Sequence, residues 1–290
     1  MKYKKISPPD HIELDDSLII EGDALHALRI IPANSVQCVI TSPPYWGLRD
    51  YGIDGQIGLE PTLPQFLNHL IAIFNEVKRV LKDDGILWLN IGDGYTSGNR
   101  GYRANDKKNP ARAMSIRPDT PEDLKPKDLH GIPWRLAFAL QKDGWYLRSD
   151  IVWNKPNAMP ESVRDRPTRS HEYLFMFTKS ERYYYDYLAS KEVGKNGEYR
   201  NRRTVWNINT EVFHDAHFAT FPRKLIEPCL LTSTKPGDVI LDPFFGSGTV
   251  GCVSQNYGRT CIGIELNPEY VAMSAKRLNL DKNSIIKVAI

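Results

Sequence analysis

Short unbroken apolar runs alternate along this chain with longer stretches whose apolar residues return every third or fourth position. The first kind reads as buried strand and the second as amphipathic helix. Ser17–Ile20 is a short strand, followed from Ala24 by a brief helix to Ile31. Val39 and Ile40 belong to the next strand. Residues 63–81 carry apolar side chains at 66, 67, 70, 71, 74, 77, 80 and 81, a helical stripe closed by Asp84-Gly85. Gly85–Ile91 is a buried strand, and Ile132–Gln141 is a helix with Pro133 in its first turn and Gly144 beyond its end. Trp145–Trp153 and His171–Thr178 are strands. Later come the strand Val239–Leu241, a helix marked by Val250, Val253 and Tyr257 and stopped by Gly258, the strand Cys261–Ile264, and a helix over 268–279. This alternation predicts an α/β fold, a doubly wound and mostly parallel sheet covered on both faces. The strand over Tyr173–Phe177 is the candidate for an antiparallel partner near one edge.

Polar residues gather where these strands end. Asp23, Ser42, Asp93, Lys155, Asp242 and Glu265 all follow a strand closely. In open α/β sheets ligands bind at the carboxyl ends of the strands, so this placement predicts one shared cleft. After Val39-Ile40 the chain reads Thr41-Ser42-Pro43-Pro44-Tyr45. Each proline fixes its own φ and removes a backbone donor, and each pushes the preceding residue toward extended conformations. The result is a stiff strand tip with carbonyls free to accept, suited to gripping an amino group and stacking a flat ring. Alone, such a segment also reads as an ordinary turn.

A second loop changes its meaning. Asp242-Pro243-Phe244-Phe245-Gly246-Ser247-Gly248-Thr249 joins a strand to a helix, and Glu265 ends the next strand about 20 positions beyond the glycines, a spacing that suits ribose hydroxyls. The third spaced glycine of the dinucleotide fingerprint is missing, and no Gly-Lys-Ser/Thr follows to cradle phosphate. A carboxylate before the loop repels phosphate and suits a ligand carrying an ammonium or sulfonium.

Together the two loops resemble those of S-adenosylmethionine-dependent DNA amino-methyltransferases, over roughly residues 17–280. The catalytic loop comes first, as in the circularly permuted group called beta; one departure is Val250, where many members carry a second Thr. The resemblance implies a single methyltransferase domain over 1–290, with a catalytic half at about 17–180 and a cofactor half at about 216–280. It implies a catalytic loop of Ser42, Pro43, Pro44 and Tyr45, in which Ser42 and a Pro43 carbonyl draw on the amino protons of a flipped base and Tyr45 stacks on it. Trp46 is a further candidate for that stack, or for the core. S-adenosyl-L-methionine is the implied cofactor. Asp242 and the loop Gly246, Ser247 and Gly248 would hold its methionine end, with Phe244 and Thr249 also in the cofactor site, Glu265 would hold its ribose and Asp23 its adenine, and Phe221, in the segment His217–Pro222, would close over the methionine moiety. Asp23 also reads as a helix N-cap. No metal is implied. In this family Ser at position 42 goes more often with cytosine N4 than with adenine N6, so cytosine is the favoured target and adenine the alternative.

Composition adds to this picture. The chain has 290 residues, is 41% hydrophobic and carries a net charge of only +3, so overall charge does not announce nucleic acid. Local charge does. Residues 94–128 form a long Gly-, Asn- and Arg/Lys-rich insertion containing Arg100, Arg103, Lys107 and Lys108, and it is expected to contact DNA. Arg164, Arg166, Arg200, Arg202 and Arg203 are the other candidate DNA-binding residues, with 181–215 a short target-recognition segment. The four cysteines at 38, 229, 252 and 261 lack metal or disulfide spacing and read as buried thiols. No signal peptide or membrane-length apolar run is visible, so the expected setting is cytoplasmic, on double-stranded DNA. The resemblance also raises a cognate restriction endonuclease and a homodimer as partners.

Overall fold

The computed structural model describes residues 4–6, 16–97, 118–211 and 221–288. One ten-stranded sheet organises them, with helices on both faces. In chain order the elements are β1 (Lys4–Ile6), β2 (Leu18–Glu21), α1 (Ala24–Leu28), β3 (Val36–Thr41), α2 (Leu63–Val80), β4 (Leu81–Ile91), α3 (Ile132–Lys142), β5 (Tyr146–Asn154) and β6 (His171–Thr178). Then follow β7 (Lys191–Val193), β8 (Tyr199–Asn201), β9 (Val205–Asn207), α4 (Arg223–Ser233), β10 (Val239–Asp242), α5 (Thr249–Asn256), β11 (Thr260–Glu265), α6 (Pro268–Arg277) and β12 (Ile285–Val288).

Across the sheet the strands run β1-β12-β2-β11-β10-β3-β4-β6-β5-β9. All pairs are parallel except those of β6, which is antiparallel to both β4 and β5. Side chains alternate between faces as a buried sheet requires. Leu18, Ile20 and Val39 pack with α1, α2 and α3, whereas Ile19, Cys38 and Ile40 pack with α4, α5 and α6. Between the central neighbours β10 and β3 the order reverses: β10 leads through α5 to β11 on one side, and β3 leads through α2 to β4 on the other. Such a switch point opens a crevice beyond the carboxyl ends of the strands.

Local chemistry sets the boundaries. Thr62 accepts from the Gln65 N–H at the start of α2, and Asn267 accepts from that of Glu269 at the start of α6. Gly131 begins α3 in the left-handed region with no capping side chain of its own. Asp93, at the tip of β4, serves instead: its Oδ2 accepts from the Gly131 N–H at 3.1 Å and its Oδ1 from that of Ile132 at 3.1 Å. Asp93 therefore caps a helix, and it is the one strand-tip residue of the expected cleft that does not line the cavity described below. Trp46 is also core. It is buried, donates from Nε1 to the Glu60 carbonyl at 2.9 Å and meets His130 edge-on. All four cysteines are buried and free. Among the described residues no helix is long and apolar enough to cross a membrane.

Candidate active site

A cavity of about 310 Å³ lies at the switch point. Its wall contains Ser42, Pro43, Pro44 and Tyr45 from the loop after β3, together with Asp23, Phe221, Asp242, Phe244, Gly246, Ser247, Thr249 and Glu265. Gly248 stands behind the wall as the N-cap of α5 at φ +79°, where a Cβ would come within 2.9 Å of Ser274. Two loops 201 residues apart in sequence are tied directly: Thr41 Oγ1 donates to Asp242 Oδ1 at 2.7 Å, with both side chains buried.

Asp242 Oδ1 also accepts from the Phe244 N–H at 3.1 Å. Burial nevertheless pushes the Asp242 carboxyl up to about 7, the bonds from Thr41 and Phe244 pull it back, and the neighbouring charge of Glu265 adds to the rise. Glu265 is likewise raised by burial, opposed by backbone donors. Its Oε2 accepts from the Gly246 N–H at 2.7 Å and its Oε1 from that of Asn267 at 2.8 Å. A carboxylate has about four lone-pair sites, so each oxygen keeps capacity for a further donor. At Gly246 φ is +50° and no heavy atom lies within 4 Å of where a Cβ would stand, which leaves the backbone bare on that side. The buried Asp242 and half-buried Glu265 carboxylates, beside the apolar walls of Phe221, Phe244 and Ile264, suit a ligand with a cationic centre and paired hydroxyls. The residues present fit S-adenosyl-L-methionine.

Other expected residues have mixed placements. Asp23 lines the cavity and is also the N-cap of α1, its Oδ1 accepting from the His26 N–H at 3.0 Å and contacting the His26 ring at 2.8 Å. Ser247 Oγ accepts from Arg277 at 2.9 Å. Arg166 pairs with Glu161 at 2.7 Å and lies 3.9 Å from the Tyr95 ring centroid. Arg200 pairs with Glu192 at 3.0 Å across the β7–β8 hairpin. Arg164 and Arg203 are exposed, and Arg202 lies 5.2 Å from the Trp206 ring with its Nε buried and unpartnered among the described residues. Arg100, Arg103, Lys107, Lys108 and residues 217–220 lie outside the described residues. The base of the 94–128 segment is closed by the Tyr95–Leu129 bridge and by the Thr96 hydroxyl donating to the Lys125 carbonyl at 2.7 Å.

Sequence reasoning missed Glu172. Ligand-facing residues are expected at the last positions of strands, but β6 runs antiparallel, so its first residues reach the cleft. Glu172 Oε2 accepts from the Tyr45 hydroxyl at 2.9 Å and from Asn90 Nδ2 at 3.2 Å, and its Oε1 accepts from Lys155 Nζ. The antiparallel pairing considered for this strand was the available signal. The loop after Trp46 was missed as well: Arg49, Tyr51, Ile53 and Gln56 form part of the cavity wall.

The fold and the placement of this cavity define a class I S-adenosylmethionine methyltransferase-type α/β protein. Residues 36–276 match the family model described as DNA methylase, and the chain belongs to that family: it is a DNA methyltransferase. It is 68% identical over 289 residues to Type II methyltransferase M.Cfr9I of Citrobacter freundii, covering 100% of this chain and 96% of that protein. Identity to Type II methyltransferase M.SmaI of Serratia marcescens is 58% over 262 residues, 90% of each. In fold it is similar to the cytosine-N4-specific PvuII DNA methyltransferase, with a TM-score of 0.68 at 22% identity over 99% of both chains. A Thermus thermophilus protein solved in complex with S-adenosyl-L-methionine superposes with a TM-score of 0.63 at 23% identity, covering 94% of this chain and 97% of that one.

Proposed function

We propose that this chain is a Type II modification methyltransferase that transfers the methyl group of S-adenosyl-L-methionine to the N4 amino group of cytosine in duplex DNA. The observation that carries this reading is the Thr41–Asp242 bond, which sets the Ser42-Pro43-Pro44-Tyr45 loop against the carboxylates of Asp242 and Glu265 in one cavity. The names of two similar relatives, both Type II methyltransferases, support a role beside a restriction endonuclease, and the cytosine-N4-specific fold neighbour supports the choice of base. The order of the two loops supports assignment to the permuted beta group, with catalytic and cofactor halves at about 17–180 and 216–280, and Ser at position 42 supports cytosine over adenine.

When bound, the cofactor supplies an electrophilic methyl on a sulfonium. Asp242 and the backbone of Gly246 to Gly248 hold its methionine end, Glu265 accepts from its ribose hydroxyls, Asp23 serves its adenine and Phe221 covers it. The exocyclic amine of a base is a poor nucleophile because its lone pair is conjugated into the ring. Ser42 Oγ and the Pro43 carbonyl accept the two amino hydrogens, which draws the nitrogen toward tetrahedral geometry and frees the lone pair for in-line attack. Tyr45 stacks on the base once it has left the duplex. Arg164, Arg202 and Arg203, with segments 94–128 and 181–215, supply the DNA-facing charge.

Nucleoside mass spectrometry of duplex DNA incubated with enzyme and cofactor tests the reading. N4-methylcytosine is the expected product. N6-methyladenine would replace the base assignment, and an unmodified duplex would remove the activity altogether. Ser42→Ala should lower turnover far more than it weakens cofactor binding.

A further inference from the structure

Glu172 is in neither of the two loops, yet three donors converge on it. Tyr45 and Asn90 donate to Oε2 at 2.9 and 3.2 Å, and Lys155 Nζ donates to Oε1. Lys155 is itself fixed, 4.2 Å from the Trp153 ring centroid, and Trp153 is the cross-strand partner of Glu172. The Tyr45 ring is seated on Gly92, where a Cβ would stand 2.6 Å from Tyr45 Cε2. Ring and hydroxyl are thus both held.

The hydrogens have a direction. A phenol has one hydrogen, and here Glu172 takes it. Ser42 Oγ lies 3.4 Å from the same phenol oxygen. Across that contact only Ser42 can donate, and catalytic hydrogen bonds that are long in a free enzyme tighten in the complex. Once its hydrogen points at Tyr45, Ser42 offers lone pairs, and lone pairs are what an amino group needs. Without Glu172 the phenol hydrogen is free to turn toward Ser42 Oγ and compete with the base for them.

We infer that Glu172, fixed by Lys155 and Asn90, is a positioning residue that sets hydrogen direction through Tyr45 and makes Ser42 an acceptor toward the target amino group. The inference rests on the reading of Ser42 as the residue that grips that group. It holds for either base, since both amino groups donate. It also explains the carboxylate. A glutamine here has one acceptor oxygen and one donor amide: with the oxygen toward Tyr45, the amide meets the Lys155 ammonium, and the reverse placement takes away the acceptor of Tyr45.

The test is a double-mutant cycle on single-turnover methyl transfer to duplex DNA, with wild type, Glu172→Gln, Tyr45→Phe and the double variant. Cofactor Kd and DNA KM are measured alongside. Glu172→Gln should slow transfer about 10²-fold while both binding constants stay within about threefold. In the Tyr45→Phe background, with no phenol hydrogen to misdirect, the same substitution should cost less than about threefold more. Equal costs in both backgrounds, or a loss confined to KM, overturn the inference. If Glu172→Gln does not bind cofactor, Lys155→Met replaces it in the cycle, with the same dependence on Tyr45 expected and equal costs again decisive against. Ser42→Ala separates the two readings. Wild-type turnover in that variant overturns the catalytic loop, whereas loss of turnover there together with an undiminished Glu172→Gln overturns only the role of Glu172.

Discussion

At the scale of the residue, Asp242 is the carboxyl at the cavity whose chemistry burial has altered strongly. It is 1% exposed, and burial has raised its carboxyl from 3.8 to about 7. The sign follows from linkage. A carboxyl raised in the folded state contributes stability that is present below the unfolded value and lost as pH climbs through the folded one, so ionising Asp242 costs the empty protein stability between those limits. A bound cation favours the ionised form. Cofactor binding should therefore release a proton below pH 7, and affinity should climb with pH, approaching about tenfold per unit well below 7 and levelling above it. Calorimetric titrations across that range check this, and Asp242→Asn should flatten the profile. A wild-type profile that is already flat would mean that Asp242 does not face the charge of the cofactor. Asp242 was legible in sequence as a carboxylate before a glycine loop. Its raised pKa was not, because that arises from burial between β10 and β3, strands from opposite ends of the chain.

At the scale of the element, the two phenylalanines after Pro243 illustrate what sequence could and could not separate. The loop after β10 reads as one unit, and both phenylalanines reach the cavity wall, but Phe244 is half-buried there whereas Phe245 is buried and packs into the core. Phe245 can do so because glycines meet it. A Cβ on Gly263 of β11 would stand 2.3 Å from its ring, and one on Gly251 of α5 would stand 2.7 Å from it. Those glycines let helix and strand close on the ring, and their value is space, since neither has a positive φ. Gly263→Ala should destabilise the protein by about 1–3 kcal/mol through overpacking, read as a lower denaturation midpoint with an unchanged slope. It should also weaken cofactor binding, because the Phe245 N–H donates to the Ile264 carbonyl at 2.9 Å and so carries any shift in β11 into the loop. The strands over 171–178 and 85–91 were legible from their apolar runs. The direction of β6 depends on which neighbour it meets, and local pattern carries no information about that. With direction unknown, Glu172 could not be placed.

At the scale of the whole molecule, the sheet brings the switch-point cavity and the Arg-bearing edge onto one body. β9 pairs with β5, whose end carries Lys155 into the cavity, so the strand next to Arg202 and Arg203 continues the wall of the site. β7, β8 and β9 have only three residues each, too short for apolar periodicity to reveal, although the positive charge of this segment was plain. Beside β9 lies a second, open concavity lined by Arg200, Arg202, Arg203 and Trp206. Its three arginines are not equivalent. Arg200 already faces Glu192, Arg202 lies against Trp206, and Arg203 is exposed. Phosphate contact requires a guanidinium free to exchange counterions for the DNA backbone, so the three should contribute unequally to salt dependence. Arg203→Ala should weaken binding to any duplex and reduce the slope of log K against log salt by about 1. Arg200→Ala should leave that slope nearly unchanged, because what it breaks is an ion pair within the hairpin. Fluorescence anisotropy on a labelled duplex across a salt series measures both. If Arg200→Ala moves the slope and Arg203→Ala does not, then DNA displaces Glu192 on binding, and the hairpin face of the concavity, not its exposed rim, meets the backbone.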